Sequence, residues 1–268
     1  MRSAESSAAE RRPGSSRHAA PGRHRPQANA FYAVNRGGGL YSEAVSQRIG
    51  AVVAVVADRL GIAPTLLTLV NLVIGVGASA AVVILAPAAA AGDLPAWPLG
   101  ASALIAWQLA YAIDCADGQL ARVTRQTSTA GARVDILADV MVQISLVTAL
   151  GAAATAYQPD TPAWLVAGFA ATWMVNLVTS AMQGSSQAAS MITSTTLPVR
   201  IVKLIRDYGA VVAFCGLVLT VAPIAMIWVL VVFFLVNGLF LVATVAHAAV
   251  HALRPGNGRS EYPSPDVP

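Results

Sequence analysis

Long apolar segments constrain this chain more than any other feature of its sequence. A helix needs about 20 apolar residues to cross the hydrocarbon core of a bilayer. Hydropathy predicts six such spans, at about 64–86, 98–122, 130–154, 162–183, 207–223 and 224–251, the last two divided near Pro223. Only 11% of the residues are charged, against about a quarter in soluble domains. We therefore predict an all-α, polytopic membrane helix bundle.

The segments outside the spans divide into two tails and one interfacial helix. Residues 1–34 are rich in Arg, Ser, Ala, Pro and Gly, and residues 252–268 are also polar, which predicts two disordered tails. In residues 35–63, apolar side chains recur at helical spacing from Val45 to Leu60. The continuous apolar stretch there, 49–57, is too short to span a bilayer. It predicts a juxtamembrane amphipathic helix, followed by a transmembrane domain at 64–251.

The placement of charge predicts the orientation in the membrane. The connections near 87–97, 155–161 and 223 contain Asp93 and Asp160 but no Lys or Arg, so all 17 basic residues fall on the other side. By the positive-inside rule, both termini are expected in the cytoplasm, in a protein of the cell membrane. Basic charge beside a bilayer needs no nucleic-acid partner, and none is expected.

Four carboxylates lie where a membrane protein rarely tolerates them, in the cytoplasmic halves of the second and third predicted spans. Asp114 and Asp117 are three residues apart, and Asp135 and Asp139 are four apart, so each pair shares one helix face. A short polar turn between antiparallel helices would bring the two faces together. Carboxylates at membrane depth usually serve function. An all-oxygen site suits Mg²⁺ or Mn²⁺.

The surroundings of these carboxylates indicate an anionic ligand. Gly118 and Ala121 share the face of the first pair, where small side chains either admit a ligand or allow close helix packing. Arg122, Arg125 and Arg133 lie close to the carboxylates in the sequence. A cation site among arginines suits a substrate with phosphates, whose developing charge a metal ion stabilises.

Read in order, these residues resemble the signature of the CDP-alcohol phosphotransferase family. The pattern is Asp114-x2-Asp117-Gly118-x2-Ala121-Arg122-x8-Gly131-x3-Asp135-x3-Asp139. The resemblance implies a transferase that displaces CMP from a CDP-linked alcohol, within a bundle at about 40–251. It also implies a homodimer.

The resemblance implies roles for individual residues. Asp114, Asp117 and Asp135 would be metal ligands, and Asp139 the general base, also able to contact a second metal. The implied CDP-binding residues are Asp114, Gly118, Ala121, Arg122, Gly131 and Thr68. Many relatives carry Pro-Asn-x-x-Thr at the start of the first span. Here Pro64 and Thr68 match that pattern, but Thr65 replaces the Asn.

The donor and acceptor are less constrained than the reaction. The family's usual donor in bacteria-like members is CDP-diacylglycerol. Arg200, Lys203 and Arg206 recur every three residues between the fourth and fifth spans. They are candidates to bind the phosphate of glycerol 3-phosphate or inositol phosphate, or they are positive-inside charge near lipid head groups.

Two other classes of membrane protein also use intramembrane carboxylates. A cation-coupled transporter is the alternative from a different class, but transporters often contain an internal repeat, and residues 160–251 hold no second copy of the aspartate pattern. A membrane prenyltransferase would carry two Asp-rich motifs in distant helices, whereas this cluster joins adjacent ones. The lack of a second aspartate pattern and the position of the cluster on adjacent helices both favour the phosphotransferase over these alternatives.

Overall fold

The structure, a computed structural model, describes residues 26–35, 39–185 and 207–253. Within these ranges the chain is all-helical and contains no strand. The helices are α1 Ala28–Ala33, α2 Gln47–Leu60, α3 Pro64–Ala91, α4 Ala96–Val123, α5 Thr129–Tyr157, α6 Ala163–Ser185, α7 Tyr208–Val221 and α8 Met226–Leu253. A π-helical turn, Ser42–Ser46, precedes α2, and a 3₁₀ turn, Pro223–Ala225, precedes α8.

Within the described ranges, four segments are long and apolar enough to cross a membrane, as expected of a multi-pass membrane protein. They are α3, α4, α5 and the segment Pro223–Ala246. The helix α7 and the apolar segment Ala163–Val175 of α6 are shorter. The predicted division near Pro223 is confirmed, because α7 ends at Val221 before the 3₁₀ turn. The count of six spans stays a prediction.

Local sequence explains the sharp turns that align α3, α4 and α5. Pro64 occupies the first turn of α3, where its missing amide costs nothing. Gly92 ends that helix with φ +86°, a left-handed conformation that glycine adopts without strain. Ser128 caps α5, its Oγ accepting a hydrogen bond from the Gly131 amide at 3.0 Å. Short connections of this kind place successive helices antiparallel.

Helix α4 is the centre of the bundle, in contact with α2, α3 and α7, while α5 packs on α3 and α6 on α8. Small residues allow the closest approaches. A Cβ at Gly50 would lie 2.8 Å from the Ala112 carbonyl oxygen, and one at Gly100 would lie 2.5 Å from the Thr220 backbone. Both α2 and α7 are therefore held against α4 without intervening side chains.

Two apolar cores stabilise the bundle. The larger lies among α3 to α8 and includes Leu150, Phe169 and Leu219. The smaller lies where α1 and α2 meet α3 and α4, and includes Phe31 and Leu120. The carboxylates of the sequence motif belong to the end of the bundle that carries the smaller core.

The predicted amphipathic helix is present as α2, and its two faces have different surroundings. Its small residues Ala51, Ala54 and Ala57 are buried against the bundle. The large apolar side chains face outward, with exposed fractions of 46% to 69% at Ile49, Val52, Val56 and Leu60. A helix of this kind packs on its protein through alanines and offers its apolar stripe to lipid.

The predicted boundary of the N-terminal tail at residue 34 is too far along the chain. Residues Ala28–Ala33 form α1, and the Phe31 side chain is fully buried in the smaller core. The Asn35 Oδ1 accepts a hydrogen bond from Gln119 Nε2 at 2.8 Å, which holds the segment to α4. A six-residue helix is too short to display a periodicity, so one buried aromatic determines its position.

Candidate active site

Three carboxylates converge where α4 ends and α5 begins. One oxygen each from Asp114, Asp117 and Asp135 lies within 4.8 Å of the others. The turn 124–128 reverses the chain between the two helices and brings Asp135 opposite the α4 pair. Asp117 is the most buried of the three, at 5% exposed. Carboxylate oxygens at this separation match the ligand set of a hard divalent cation.

The fourth carboxylate lies beside this group. Asp139 is one helical turn beyond Asp135 and lies within electrostatic range of both Asp135 and Asp114. It does not belong to the three-carboxylate group. The structure therefore brings three of the four predicted aspartates together as candidate ligands and leaves Asp139 as their neighbour on α5.

Helix α3 supplies the hydrogen bonds that orient two of these carboxylates. Thr68 Oγ1 donates to Asp117 Oδ2 at 2.5 Å, and Asn71 Nδ2 donates to Asp114 Oδ1 at 3.0 Å. Thr68 and Asn71 are three residues apart, so they share one face of α3, and both are buried. Charge-assisted bonds of this kind are among the stronger ones in proteins. They hold the carboxylates in fixed orientations.

The sequence predicts a functional role for Thr68 but not for Asn71. Thr68 is predicted at a CDP-binding position, which stays a prediction, and its hydroxyl contacts a carboxylate directly. Asn71 was missed. The available signal was a lone amide within the apolar run from Leu69 to Ile74, because a polar side chain within a membrane span usually has a partner.

A cavity of about 160 Å³ lies against the carboxylates, between α3, α4, α5 and the α4–α5 turn. It is lined by Pro64, Thr65, Thr68, Asp117, Gly118, Ala121, Arg122, Gln126, Thr127, Ser128, Gly131, Ala132 and Asp135. Five of the six expected CDP-binding residues are among these. The exception is Asp114, which lies in the carboxylate group but not in the cavity wall.

The glycines of the motif keep this cavity open. A Cβ at Gly118 would lie 3.0 Å from Arg122 Nη1, and one at Gly131 would lie 3.0 Å from Ser128 Oγ. The nearest atoms are cavity-lining polar groups rather than a packed helix. The sequence left two interpretations open for Gly118, ligand access and close helix packing. The structure favours ligand access, because a side chain at Gly118 would displace the Arg122 guanidinium rather than meet a neighbouring helix.

The cavity combines acidic groups with groups suited to anions. Asp117 and Asp135 are the acidic ones. Arg122 and the first turn of α5, with Ser128 and Gly131, line the same cavity. The N-terminus of a helix carries partial positive charge and favours phosphate groups. A divalent cation carrying a diphosphate would meet groups of complementary charge within this one cavity. The sequence did not indicate the turn residues Gln126, Thr127 and Ser128.

The predicted acceptor residues Arg200, Lys203 and Arg206 lie outside the described residues. The chain is described again from Asp207, whose side chain accepts a hydrogen bond from the Ala210 amide at the start of α7. The acceptor site therefore stays a prediction.

The fold and the site together define a class: a multi-pass helical membrane protein with three converging carboxylates beside a polar cavity. The family model for CDP-alcohol phosphatidyltransferase matches residues 62–236, which is more than half of the 268 residues. The chain belongs to this family, as the motif predicted. Membership implies transfer of a phosphoalcohol group from a CDP-alcohol in phospholipid synthesis. A search of curated proteins found no match.

Proposed function

We infer that this protein is a phosphotransferase that moves a phosphatidyl group from CDP-diacylglycerol to the hydroxyl of a polar acceptor, releasing CMP. The acceptors that we favour are glycerol 3-phosphate and inositol phosphate. The observation that carries the proposal is the convergence of Asp114, Asp117 and Asp135 beside the cavity that contains Arg122.

In this proposal, Asp114, Asp117 and Asp135 hold Mg²⁺ or Mn²⁺. When bound, the metal neutralises the diphosphate and stabilises the charge that develops on the departing CMP. The three carboxylates suit it because they offer only oxygen ligands, which hard cations prefer. The hydrogen bonds from Thr68 and Asn71 keep two of the carboxylates oriented before any ligand arrives.

The cavity residues bind and orient the nucleotide part of the donor. Arg122 and the first turn of α5 face the phosphates, and Gly118 and Gly131 leave room for the group to approach the helices. Asp139 accepts the proton of the acceptor hydroxyl. The acceptor oxygen then forms a bond to the phosphorus of the phosphatidyl group, and the bond from that phosphorus to the CMP oxygen breaks.

A groove on the flank of the bundle supports a lipid-linked donor. It has a volume of about 490 Å³ between α2, α4 and α7. Ile49, Leu104, Leu109 and Leu217 line its apolar part, and Gln108 contributes an amide. An acyl chain has the chemistry that such a wall accepts. The groove borders the same helix, α4, that carries Asp114 and Asp117.

Three tryptophans support the proposed orientation with six spans. Trp97, Trp164 and Trp228 each lie within the first turn of α4, α6 or α8, and they are 65% to 66% exposed. All three starts belong to the end of the bundle away from the carboxylates, as alternating spans require. Exposed tryptophan is typical of a membrane–water interface. With the basic connections at the other end, this favours a carboxylate site that faces the cytoplasm in the cell membrane.

Two parts of the proposal depend on the family and the sequence pattern. The homodimer is proposed because members of the family are commonly homodimers. The acceptor phosphate is assigned to Arg200, Lys203 and Arg206 from their spacing and charge.

The test is CMP release by the purified protein in lipid nanodiscs. The assay supplies CDP-diacylglycerol, Mg²⁺ or Mn²⁺, and in turn glycerol 3-phosphate, inositol phosphate, inositol and serine. Asp139→Asn is the inactive variant. The matched control is Thr148→Val on the same helix, whose exposed hydroxyl donates to the Ile144 carbonyl of α5 itself.

Acceptor-dependent CMP release that Asp139→Asn abolishes and Thr148→Val retains would support the proposal and identify the product. CMP release with none of these acceptors, together with binding of CMP, would contradict the proposed donor or acceptor and leave the family reaction. Failure to bind cytidine nucleotides in the presence of Mn²⁺ would contradict the catalytic assignment. Ion-flux measurements in proteoliposomes would then test the transporter alternative.

A further inference from the structure

A second buried carboxylate, outside the motif, joins the segment before α2 to the start of α7. Asp207 is 3% exposed. Its Oδ2 accepts hydrogen bonds from the Tyr41 amide at 2.8 Å and the Ser42 amide at 2.9 Å. Its Oδ1 accepts from Ser42 Oγ at 2.5 Å and from the Ala210 amide at 3.4 Å. The side chain is thus satisfied by four donors from two distant parts of the sequence.

The same hydrogen-bond network reaches α4. Ser42 Oγ lies 2.9 Å from the Tyr111 hydroxyl. Because the Ser42 proton is donated to Asp207, Tyr111 is the donor in this second bond. Tyr41 Oη donates to Gln108 Oε1 at 3.1 Å, and Gln108 Nε2 donates to the Gly209 carbonyl at 3.0 Å. A closed ring of polar contacts therefore joins the segment before α2, α4 and the start of α7.

At Gly209, packing within this ring leaves no room for a side chain. A Cβ at Gly209 would lie 2.9 Å from Tyr111 Cε1, 3.0 Å from Ser42 Oγ and 3.1 Å from Tyr41 Cδ1. Burial also raises the pKa of the Tyr41 phenol, and the nearby Asp207 raises it further, so Tyr41 stays a neutral hydrogen-bond donor.

The ring adjoins the carboxylate cluster of the active site. Tyr208 follows Asp207 directly, and its ring makes an edge contact with Tyr111 at a centroid distance of 4.9 Å. Tyr208 lies within electrostatic range of Asp139 and Asp114, and Tyr111 within that of Asp114. Tyr111 also lies one helical turn before Asp114 on the same face of α4, so the two tyrosines held by the ring are neighbours of the Asp114–Asp139 part of the cluster.

We propose that Asp207 is a positioning residue, which holds Tyr208 and, through Ser42, Tyr111 against the Asp114–Asp139 side of the cluster. The inference rests on the proposed function and extends it to α7 and the segment before α2. It explains why an acidic residue with no cation among its four hydrogen-bond donors is buried at this point. A neutral cap would hold the first turn of α7 but could not accept from both backbone amides and Ser42 at once.

The experiment compares two variants, each of which changes a single side-chain heavy atom, with one matched control. Asp207→Asn keeps the shape of the side chain but turns one acceptor oxygen into a donor, which faces the Ala210 amide or the amides of Tyr41 and Ser42. Ser42→Ala removes the hydroxyl that joins Asp207 to Tyr111. The control is Ser79→Ala, because Ser79 is equally buried and its Oγ accepts from Trp107 Nε1, which joins α3 to α4, while donating to the Gly75 carbonyl within α3.

Three quantities are measured on full-length protein: kcat and KM for the donor at saturating Mn²⁺, Mn²⁺ affinity, and the melting temperature. We expect Asp207→Asn and Ser42→Ala to lower kcat about tenfold or more, with donor KM within about twofold, since a misplaced catalytic group affects turnover more than binding. Mn²⁺ affinity should fall several-fold. Ser79→Ala should lower only the melting temperature.

A fall in melting temperature without a change in kcat or Mn²⁺ affinity would overturn the proposal, because the ring would then be structural only. Equal losses of kcat in Ser42→Ala and Ser79→Ala would also overturn it. If wild-type protein binds Mn²⁺ but turns over no CDP-alcohol, the proposed function fails. The Mn²⁺ affinities of the variants then still decide whether Asp207 positions the cluster.

Discussion

The two ends of this helix bundle are built on different principles. At the polar end, where α2, the α4–α5 turn and the start of α7 meet, buried polar side chains bond across helices, as in Thr68 with Asp117 and Asn71 with Asp114. At the apolar end, formed by the turns 92–95, 158–162 and 222–225, the core consists of residues such as Phe169 and Leu219. Hydroxyls there mostly bond within their own helix, as Thr220 does with the Gly216 carbonyl.

This difference separates the consequences of mutation. Removing one partner at the polar end leaves a buried polar group unpaired next to the site, so activity should suffer. Removing an apolar side chain at the other end leaves a cavity and costs stability. We therefore expect substitutions at the polar end to change activity and substitutions at the apolar end to change stability. Variants at the two ends test this.

The largest effect is expected at the carboxylates. Asp117→Asn should lower CMP release by about a thousandfold or more, as loss of an electrostatic catalytic group does. Its melting temperature without divalent cations should stay the same or rise, because one of several neighbouring negative charges is gone. Parallel turnover and melting assays check this. A variant with near-normal turnover would remove Asp117 from the site.

At the apolar end, the expected effect is on stability alone. Phe169 is fully buried and contacts Trp173 and Phe233 through edge-on ring pairs at 5.6 Å and 5.3 Å. Phe169→Ala should cost about 3 kcal/mol of unfolding free energy. The kcat of the protein that remains folded should be unchanged. A specific loss of kcat at normal melting temperature would show that the two ends are coupled.

An intermediate effect is expected where α3 supports the site. Thr68→Val keeps the shape of the side chain but removes the donor to Asp117, which should lower kcat about tenfold. Thr148→Val on α5 should have no effect, since that hydroxyl is exposed. The measurement is CMP release at saturating Mn²⁺. Equal activities of the two variants would mean that the Asp117 orientation does not depend on Thr68.

The smallest effect is expected at a cross-helix bond outside the polar end. Trp107 Nε1 donates to Ser79 Oγ at 3.1 Å between α4 and α3. Trp107→Phe should cost about 1–2 kcal/mol, from one buried hydrogen bond and some packing, with turnover unchanged. Chemical denaturation in detergent measures the first and CMP release the second. A tenfold loss of turnover would extend the functional region along α4 beyond the polar end.

Much of the candidate site could be predicted from the sequence because its spacing is local. Asp114 and Asp117 share a helix face, and so do Asp135 and Asp139, whatever the rest of the fold does. A five-residue turn then leaves two antiparallel helices little choice of arrangement. The family match over residues 62–236 confirms the identification that this motif supported.

Contacts between distant segments could not be predicted in this way. Asn71 and Asp114 are 43 residues apart, and Ser42 and Asp207 are 165 apart. Nothing in the local pattern of either partner identifies the other. The burial of Phe31 is another such contact, since a short helix with one aromatic has no periodicity that would distinguish it from a tail.

The sequence by itself determined the membrane class, the helical elements and the acidic motif, because hydropathy and helical periodicity are properties of neighbouring residues. Only the tertiary structure decided which donors hold the carboxylates, that the small residues of the motif open onto a cavity, and that Asp207 joins α7 to the segment before α2. These depend on how helices approach one another in space, and that approach is set by the packing of the whole bundle.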